Sequence, residues 1–192
     1  MESSTLLRRL HRYEESLRPK GYPLCRIRHN KGESIPMNMA TSWIEKLNSD
    51  NPKHGIIKRC PDMWSKGGKM KTMLIPEPKK IDSLVKSIER GKVVTMGNLR
   101  NELAKQAGAD LACPMTTGIF LKIVAFAAEE NRQLGKSVSP YWRVVKDGGK
   151  LNDKFPDGIT SHADLLESEG HTIVKSKKGR FEHLAVVNEF LF

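Results

Sequence analysis

Ser139-Pro140-Tyr141-Trp142-Arg143-Val144-Val145-Lys146-Asp147-Gly148-Gly149 is the stretch on which the reading of the fold turns. Proline cannot continue a helix, because it lacks the N–H and its ring clashes with the preceding turn, so Pro140 ends whatever precedes it. Trp142, Val144 and Val145 are aromatic or β-branched, the residue types that suit a pleated surface. Asp147-Gly148-Gly149 is then a hairpin-turn signal, since Gly supplies the positive φ that such turns need. The segment predicts a strand, a tight turn and a return strand after Lys150.

Upstream, from Met73 on, the apolar spacing is helical. Ile81, Leu84, Val85 and Ile88 follow Pro76 and Pro78 and stop at Gly91, which predicts one helix. Val93-Val94 reads as a short link. Thr95 is a cap for a second helix carrying Leu99, Leu103 and Ala104, ended near Gly108. A third helix opens at Cys113-Pro114, with proline in the first turn where its missing N–H does no harm, and runs through Ile119, Phe120, Ile123, Val124 and Ala127 toward Glu130. This order predicts a helix-turn-helix whose later helix is the reader, and a hairpin behind it is a wing. Ala163 to Glu169 gives one more short helix, closed by Gly170.

Three pieces in this order resemble the DNA-binding domain of the alkylguanine-DNA alkyltransferases (methylated-DNA–protein-cysteine methyltransferases). Gly91-Lys92-Val93-Val94-Thr95 is similar to the family's Gly-x-Val-x-Ser/Thr start of the helix-turn-helix. Pro140-x-x-Arg143-Val144-Val145 resembles its Pro-Cys-His-Arg-Val-Val active-site strand. Leu165-Leu166-Glu167-x-Glu169-Gly170 resembles its closing Leu-Leu-x-x-Glu-Gly. The likeness covers residues 73–174 and implies a winged helix that extrudes a damaged guanine from DNA and takes its alkyl group onto the motif cysteine.

The chemistry of that motif is absent here. Tyr141 stands at the cysteine position and Trp142 at the histidine position, while the position sought for the glutamate is Ala163. A phenol of pKa near 10 is a poor nucleophile without strong activation, and an indole is no base at neutral pH. The resemblance therefore points to the alkyltransferase-like branch, which lacks the cysteine and binds alkylated DNA without repairing it, passing the lesion to a downstream repair protein. The expected activity is non-catalytic binding of double-stranded DNA through the minor groove, with no cofactor and no metal. The alternative is a degenerate winged helix serving as a protein–protein interaction module. An alkyltransferase using Cys113, at a helix N-terminus that would favour a thiolate, is a third reading beside that of an ordinary buried cysteine.

Candidate DNA-contacting residues are Thr95 and Met96 at the start of the second helix, and Thr116, Thr117 and Lys122 on the reading helix. Arg143 and Lys146, in the strand and turn, complete the set, although Arg143 reads better as scaffold. Tyr141 and Trp142 form either an aromatic wall for an extruded base or a plug filling an abandoned active site. The resemblance calls for an arginine on the reading helix to hold the space of the extruded base, and Gly118 falls at that place. An insertion, Asn131 to Ser139, precedes the motif. His162 and His171, flanking the last helix, read as surface or cap residues.

The formal net charge of +11 favours a polyanionic partner. It is unevenly spread: residues 1–72 carry 15 Lys+Arg against 7 Asp+Glu, net +8, and residues 73–192 carry 18 against 15, net +3. The isolated cysteines, Cys25, Cys60 and Cys113, suit a reducing, cytoplasmic setting, and no apolar run is long enough for a membrane span. Residues 1–72 read as a basic, poorly patterned extension with short helices at Leu6, Leu7 and Leu10 and at 40–47, the latter capped by Thr41 or Ser42. Lys66-Gly67-Gly68-Lys69, whose codons would spell a purine-rich ribosome-binding site in a bacterial gene, precedes Met70. A start at Met70 or Met73 would leave the extension outside the native protein. The expected fold class is mainly α with a small β wing: a winged helix-turn-helix domain over 73–174, preceded by that extension and followed at 175–192 by a basic turn from Lys175 to Arg180 and a short helix bearing Phe181, Leu184, Val187 and Leu191.

Overall fold

The computed structural model describes residues 41–175, 181–185, 189, 190 and 192. They lie in one compact unit, Ala40–Phe192, which is about half helical with three small sheets. The expected sites at Leu6, Leu7, Leu10 and Cys25, the turn residues 176–180, and Val187 and Leu191 fall outside the described residues.

The unit starts well before residue 73. Helix α1, Trp43–Asn48, is set by a capping box: Ser42 Oγ accepts from Glu45 N at 3.0 Å, and Glu45 Oε2 accepts from Ser42 N at 3.0 Å. Strand β1, Ile56–Arg59, pairs antiparallel with β2, Thr72–Ile75. Leu47 joins the main core, with Trp43 and Ile44 packed against it. The boundary expected at residue 72 is therefore displaced, and a chain beginning at Met70 or Met73 would lose both elements. Their signals are weak for a physical reason: α1 has six residues, and three of the four β1 residues are exposed, so neither shows a periodic apolar face.

Helix α2, Pro78–Ser87, begins on a proline in its first turn and buries Ile81, Leu84 and Val85. Strand β3, Val94–Thr95, replaces the expected link and leads into α3, Met96–Ala107. Thr95 Oγ1 caps α3 by accepting from Asn98 N at 3.3 Å, and Gly108 ends it in the left-handed region at φ 68°. Strand β4, Leu111–Ala112, adds to β2 in parallel. Helix α4, Pro114–Gln133, follows with Cys113 as its N-cap and buries Thr117, Phe120, Leu121, Val124, Ala125, Ala127 and Ala128. It runs into the expected insertion as far as Gln133.

Beyond α4 the strand pairing differs from the expected wing. Strand β5, Val144–Val145, pairs in parallel with β3, register Val94↔Val144 and Thr95↔Val145, not with a return strand after Lys150. Asp147–Gly149 is a single 3-10 turn, with Gly148 at φ 75° and Lys146 N donating to Lys150 O at 2.8 Å. The turn folds onto α3, where Asp147 Oδ1 accepts from Gly97 N at 2.8 Å. Local turn chemistry was legible; the partner strand was not, because buried Val144 and Val145 meet the equally buried Val93 and Val94. Helix α5 spans Gly158–Glu167 and starts earlier than Ala163. Strands β6, Ile173–Lys175, and β7, Phe181–Leu184, make an antiparallel pair, so the helix expected at Phe181 and Leu184 is a strand instead.

Candidate functional site

The motif around Tyr141 is closed and saturated. Tyr141 begins a 3-10 turn, Tyr141–Arg143, and is 1% exposed. Its ring meets Phe155 edge-on at 5.1 Å and Trp142 at 5.4 Å, and its hydroxyl donates to Glu129 Oε1 at 2.8 Å. Burial, then the adjacent Glu129 carboxylate, pushes the phenol pKa far above its ordinary value. Glu129 lies on α4, one turn from its end, and also receives Arg132 Nε at 2.9 Å. Arg132 lies 5.6 Å from the centroid of the Trp142 ring. Just upstream, buried Ser139 donates to Asp82 Oδ1 at 2.5 Å, and Lys86 pairs with the other oxygen at 2.7 Å.

Trp142 and Arg143 are stapled to the end of the α5 segment. Trp142 Nε1 donates to Glu169 Oε1 at 2.8 Å, Arg143 Nε and Nη2 donate to the same carboxylate at 2.9 Å, and Gly91 N adds a bond at 3.1 Å. Arg143 Nη1 reaches Ile88 O at 2.5 Å. Burial works against the charge of Glu169, but the bonds from Arg143, Trp142 and Gly91 outweigh it and hold its pKa below the ordinary range. Arg143, a candidate DNA contact, is thus engaged as scaffold. The carboxylate facing position 142 is Glu169 and not a residue at 163; Ala163 is fully buried in a second apolar cluster. Glu169 sits inside the quoted Leu165–Gly170 motif, so the signal for it was present in the sequence.

His162 was expected at the surface, yet it is 1% exposed. Its Nδ1 accepts from Asn152 N at 3.0 Å, so Nε2 carries the proton and donates to Trp142 O at 2.8 Å. Burial, outweighing both of these bonds, pushes its pKa down to about 4. The imidazole is neutral with both nitrogens engaged, and no lone pair is free to serve as a base. Spacing gave no hint of it: its partners are backbone atoms 10 and 20 residues away.

A second group of expected residues meets at the start of α3. Thr95 Oγ1 donates to Glu189 Oε1 at 2.9 Å while serving as cap, Met96 packs on the core, and Lys146 pairs with Asp153. The third group lies on α4. Thr117 is internal and donates to Cys113 O at 2.8 Å, which removes it from any surface. Thr116 is half-buried over the same carbonyl, and Lys122 is exposed, 5.4 Å from the Phe126 ring centroid. Gly118 is exposed with open space where a Cβ would stand. Beside it, Met115 is 64% and Ile119 55% exposed. Positions 115, 118, 119 and 122 share one helical face, so α4 presents a small-and-apolar strip ended by a cation. Cys113 is buried with Cys60 and Met73.

Cavities of about 380 Å³ by Ser49, His54 and Glu77, 200 Å³ by Leu74, Leu103 and Gln106, and 520 Å³ by Leu84, Phe190 and Phe192 touch neither Tyr141 nor Trp142. Among the described residues no cluster of His, Cys, Asp and Glu could hold a metal, and no helix is long and apolar enough to cross a membrane.

No protein-family profile and no curated protein matches the chain. Among solved structures it is similar to the S. pombe ATL in complex with DNA, at 23% identity and a TM-score of 0.42, over 60% of this chain and 93% of that one. It is also similar to S. pombe Atl1 in complex with damaged DNA containing O6-carboxymethylguanine, at 23% identity and a TM-score of 0.38, over 55% and 86%. Both are structures of S. pombe alkyltransferase-like proteins bound to DNA. Likeness at this level assigns no residue a role.

Proposed function

We propose that this protein binds duplex DNA without chemistry, as a winged-helix relative of the alkyltransferase-like type, and that α4 is the element facing the DNA. The observation that carries this reading is the α4 strip: Met115, Gly118, Ile119 and Lys122 are exposed on a helix that buries Thr117, Phe120, Leu121 and Val124 on its core side. Minor-groove proteins insert Met, Ile and similar apolar side chains between base steps, with cations on the flanking phosphates. Small Gly118 permits close backbone approach, and Met115 and Ile119 stand on either side as wedges where the resemblance calls for an arginine.

The motif at 140–143 supports the non-catalytic part. A nucleophile needs an exposed, activated atom beside a base. Tyr141 Oη is buried, committed to Glu129 and raised in pKa, while His162 has no free nitrogen. The base-pocket role expected of Tyr141 and Trp142 would require this segment to open, and the plug reading fits its packing.

The test is binding of the full chain to plain and O-alkylguanine-containing duplexes across a salt series, followed by intact-mass analysis. Binding that weakens steeply with salt is expected, with no stoichiometric mass gain. Absence of binding even at low salt would sink the DNA reading and leave Met115 and Ile119 as a protein-docking face. Equal affinity for both duplexes would remove lesion sensing, and an alkyl adduct would overturn the absence of chemistry.

A further inference from the structure

The segment Ile56–Lys71, expected to lie outside the folded protein, is a shaped loop. Cys60 N donates to Lys71 O at 2.7 Å and closes its neck above the β1–β2 ladder. Buried Ser65 organises its tip: Ser65 Oγ donates to Asp62 O at 2.9 Å and accepts from Gly68 N at 3.1 Å, while Ser65 O accepts from Met70 N at 2.8 Å. Lys66, Gly67 and Gly68 follow with three successive positive φ values, 48°, 71° and 83°. Underneath, Trp64 and Met70 pack against Cys60, Met73 and Cys113. Cys113 is the N-cap of α4, so the loop is anchored in the same cluster as the start of the DNA-facing helix.

The loop carries five cations, Lys58, Arg59, Lys66, Lys69 and Lys71, against a single acid, Asp62. All five side chains are exposed, and among the described residues none forms an ion pair. Asp110, an acid from outside the loop, accepts from Lys71 N at 2.9 Å, and its pKa is lowered by hydrogen bonds from Thr72 and Lys71 and, less, by the Lys71 charge. Lys79, Lys86, Lys105, Arg132, Arg143 and Lys146, by contrast, each sit on a carboxylate. The tip also leaves the N–H groups of Lys66, Gly67 and Lys69 without a partner among the described residues, and consecutive N–H groups in such turns attract anions. Exposed like charges on a fixed loop cost little in water, where they are screened, and they remain available to a polyanion. Duplex DNA presents one charge per about 1.7 Å of its axis, which suits a group of several cations better than any single anion does.

We infer that the 58–71 loop is a second DNA contact, gripping the phosphate backbone beside the stretch that α4 faces. This inference rests on the DNA-binding reading above. Its contacts are to phosphate, so they strengthen binding to any sequence and do not discriminate a lesion.

The test compares the full-length protein with the Lys66→Gln/Lys69→Gln double variant and with a control, Lys80→Gln/Lys136→Gln, that removes two exposed cations elsewhere. Binding of a plain duplex and an O-alkylguanine duplex is followed by fluorescence anisotropy from about 50 to 200 mM salt, with melting curves confirming that each protein is folded. The loop variant is expected to lower the slope of log affinity against log salt by about two, close to one per lost phosphate contact, equally for both duplexes. The control is expected to leave the slope near that of the unaltered protein. An unchanged slope in the loop variant, with the unaltered protein binding normally, overturns this inference and leaves the α4 reading standing. An equal loss in the control overturns it too, because net charge alone would then be the cause. If the unaltered protein does not bind at all, both readings fall together.

Discussion

The segment Ser139–Arg143 and the exposed residues of α4 and of the 58–71 loop are opposites. In the first, polar groups are engaged throughout: Ser139 on Asp82, Tyr141 on Glu129, and Trp142 and Arg143 on Glu169. In the second, apolar side chains face water and, among the described residues, five cations form no ion pair. The motif that resembles an active site is tied into the scaffold by these bonds. The exposed apolar side chains lie on α4, whose helical pattern was plain, and the exposed cations lie in residues 58–71, where the pattern was weak. A buried polar group left unpaired costs stability, whereas an exposed cation costs little and waits for a ligand. The two regions should therefore respond to mutation in different currencies, stability for one and binding for the other.

The largest effect is expected from Glu169→Ala. It leaves Arg143 charged and largely buried and strips the Trp142 N–H of its acceptor, so urea unfolding should show a loss of about 3–5 kcal/mol. A loss below about 1 kcal/mol would mean that the staple does not hold the segment. Next comes His162, whose folded pKa of about 4 lies below the ordinary 6.5. The unfolded chain binds the extra proton between those values, so stability is full above about pH 6.5 and falls as pH drops toward 4. The shift corresponds to a few kcal/mol. Melting curves at pH 7 and pH 5 should show a steeper acid loss in the unaltered protein than in His162→Gln; parallel losses would reject His162 as the cause.

Tyr141→Phe keeps the packed ring and removes only the bond to Glu129, for about 1 kcal/mol of stability. DNA affinity should not move, and a marked change in affinity would mean that the segment opens during binding. Smallest in stability is Lys122→Ala, within about 0.5 kcal/mol of the unaltered protein. Its effect should appear in binding, as a salt slope lower by about one. A variant that melts early without changing the slope would move Lys122 from the open region to the closed one.

Helices α2, α3 and α4 were legible because their ends carry local chemistry: Pro78 and Pro114 in first turns, Thr95 as cap, Gly108 in the left-handed region. The strands were not. Phe181 and Leu184 are spaced as on a helix, yet β6 recruits them as a strand. Val144 and Val145 were read correctly as strand but paired with the wrong partner. At the site, Tyr141, Trp142 and Lys122 were singled out from the motif and the charge pattern; the structure buries Tyr141, half-buries Trp142 and leaves Lys122 exposed, while His162, expected at the surface, and Thr117, expected at a contact, are both buried.

The sequence by itself determined the helical order, the absence of a cysteine and histidine at positions 141 and 142, and the excess positive charge. These are properties of residue type and short spacing, carried by backbone chemistry within a turn or two. Only the tertiary structure decided that Tyr141 is packed away with Trp142 half-buried beside it, that Glu169 and His162 serve the scaffold, and that residues 43–71 are part of the fold. Each of those depends on a partner distant in the chain, Glu130 receiving the N–H groups of Trp43 and Ile44 among them, and no local pattern reports which distant group will satisfy a donor.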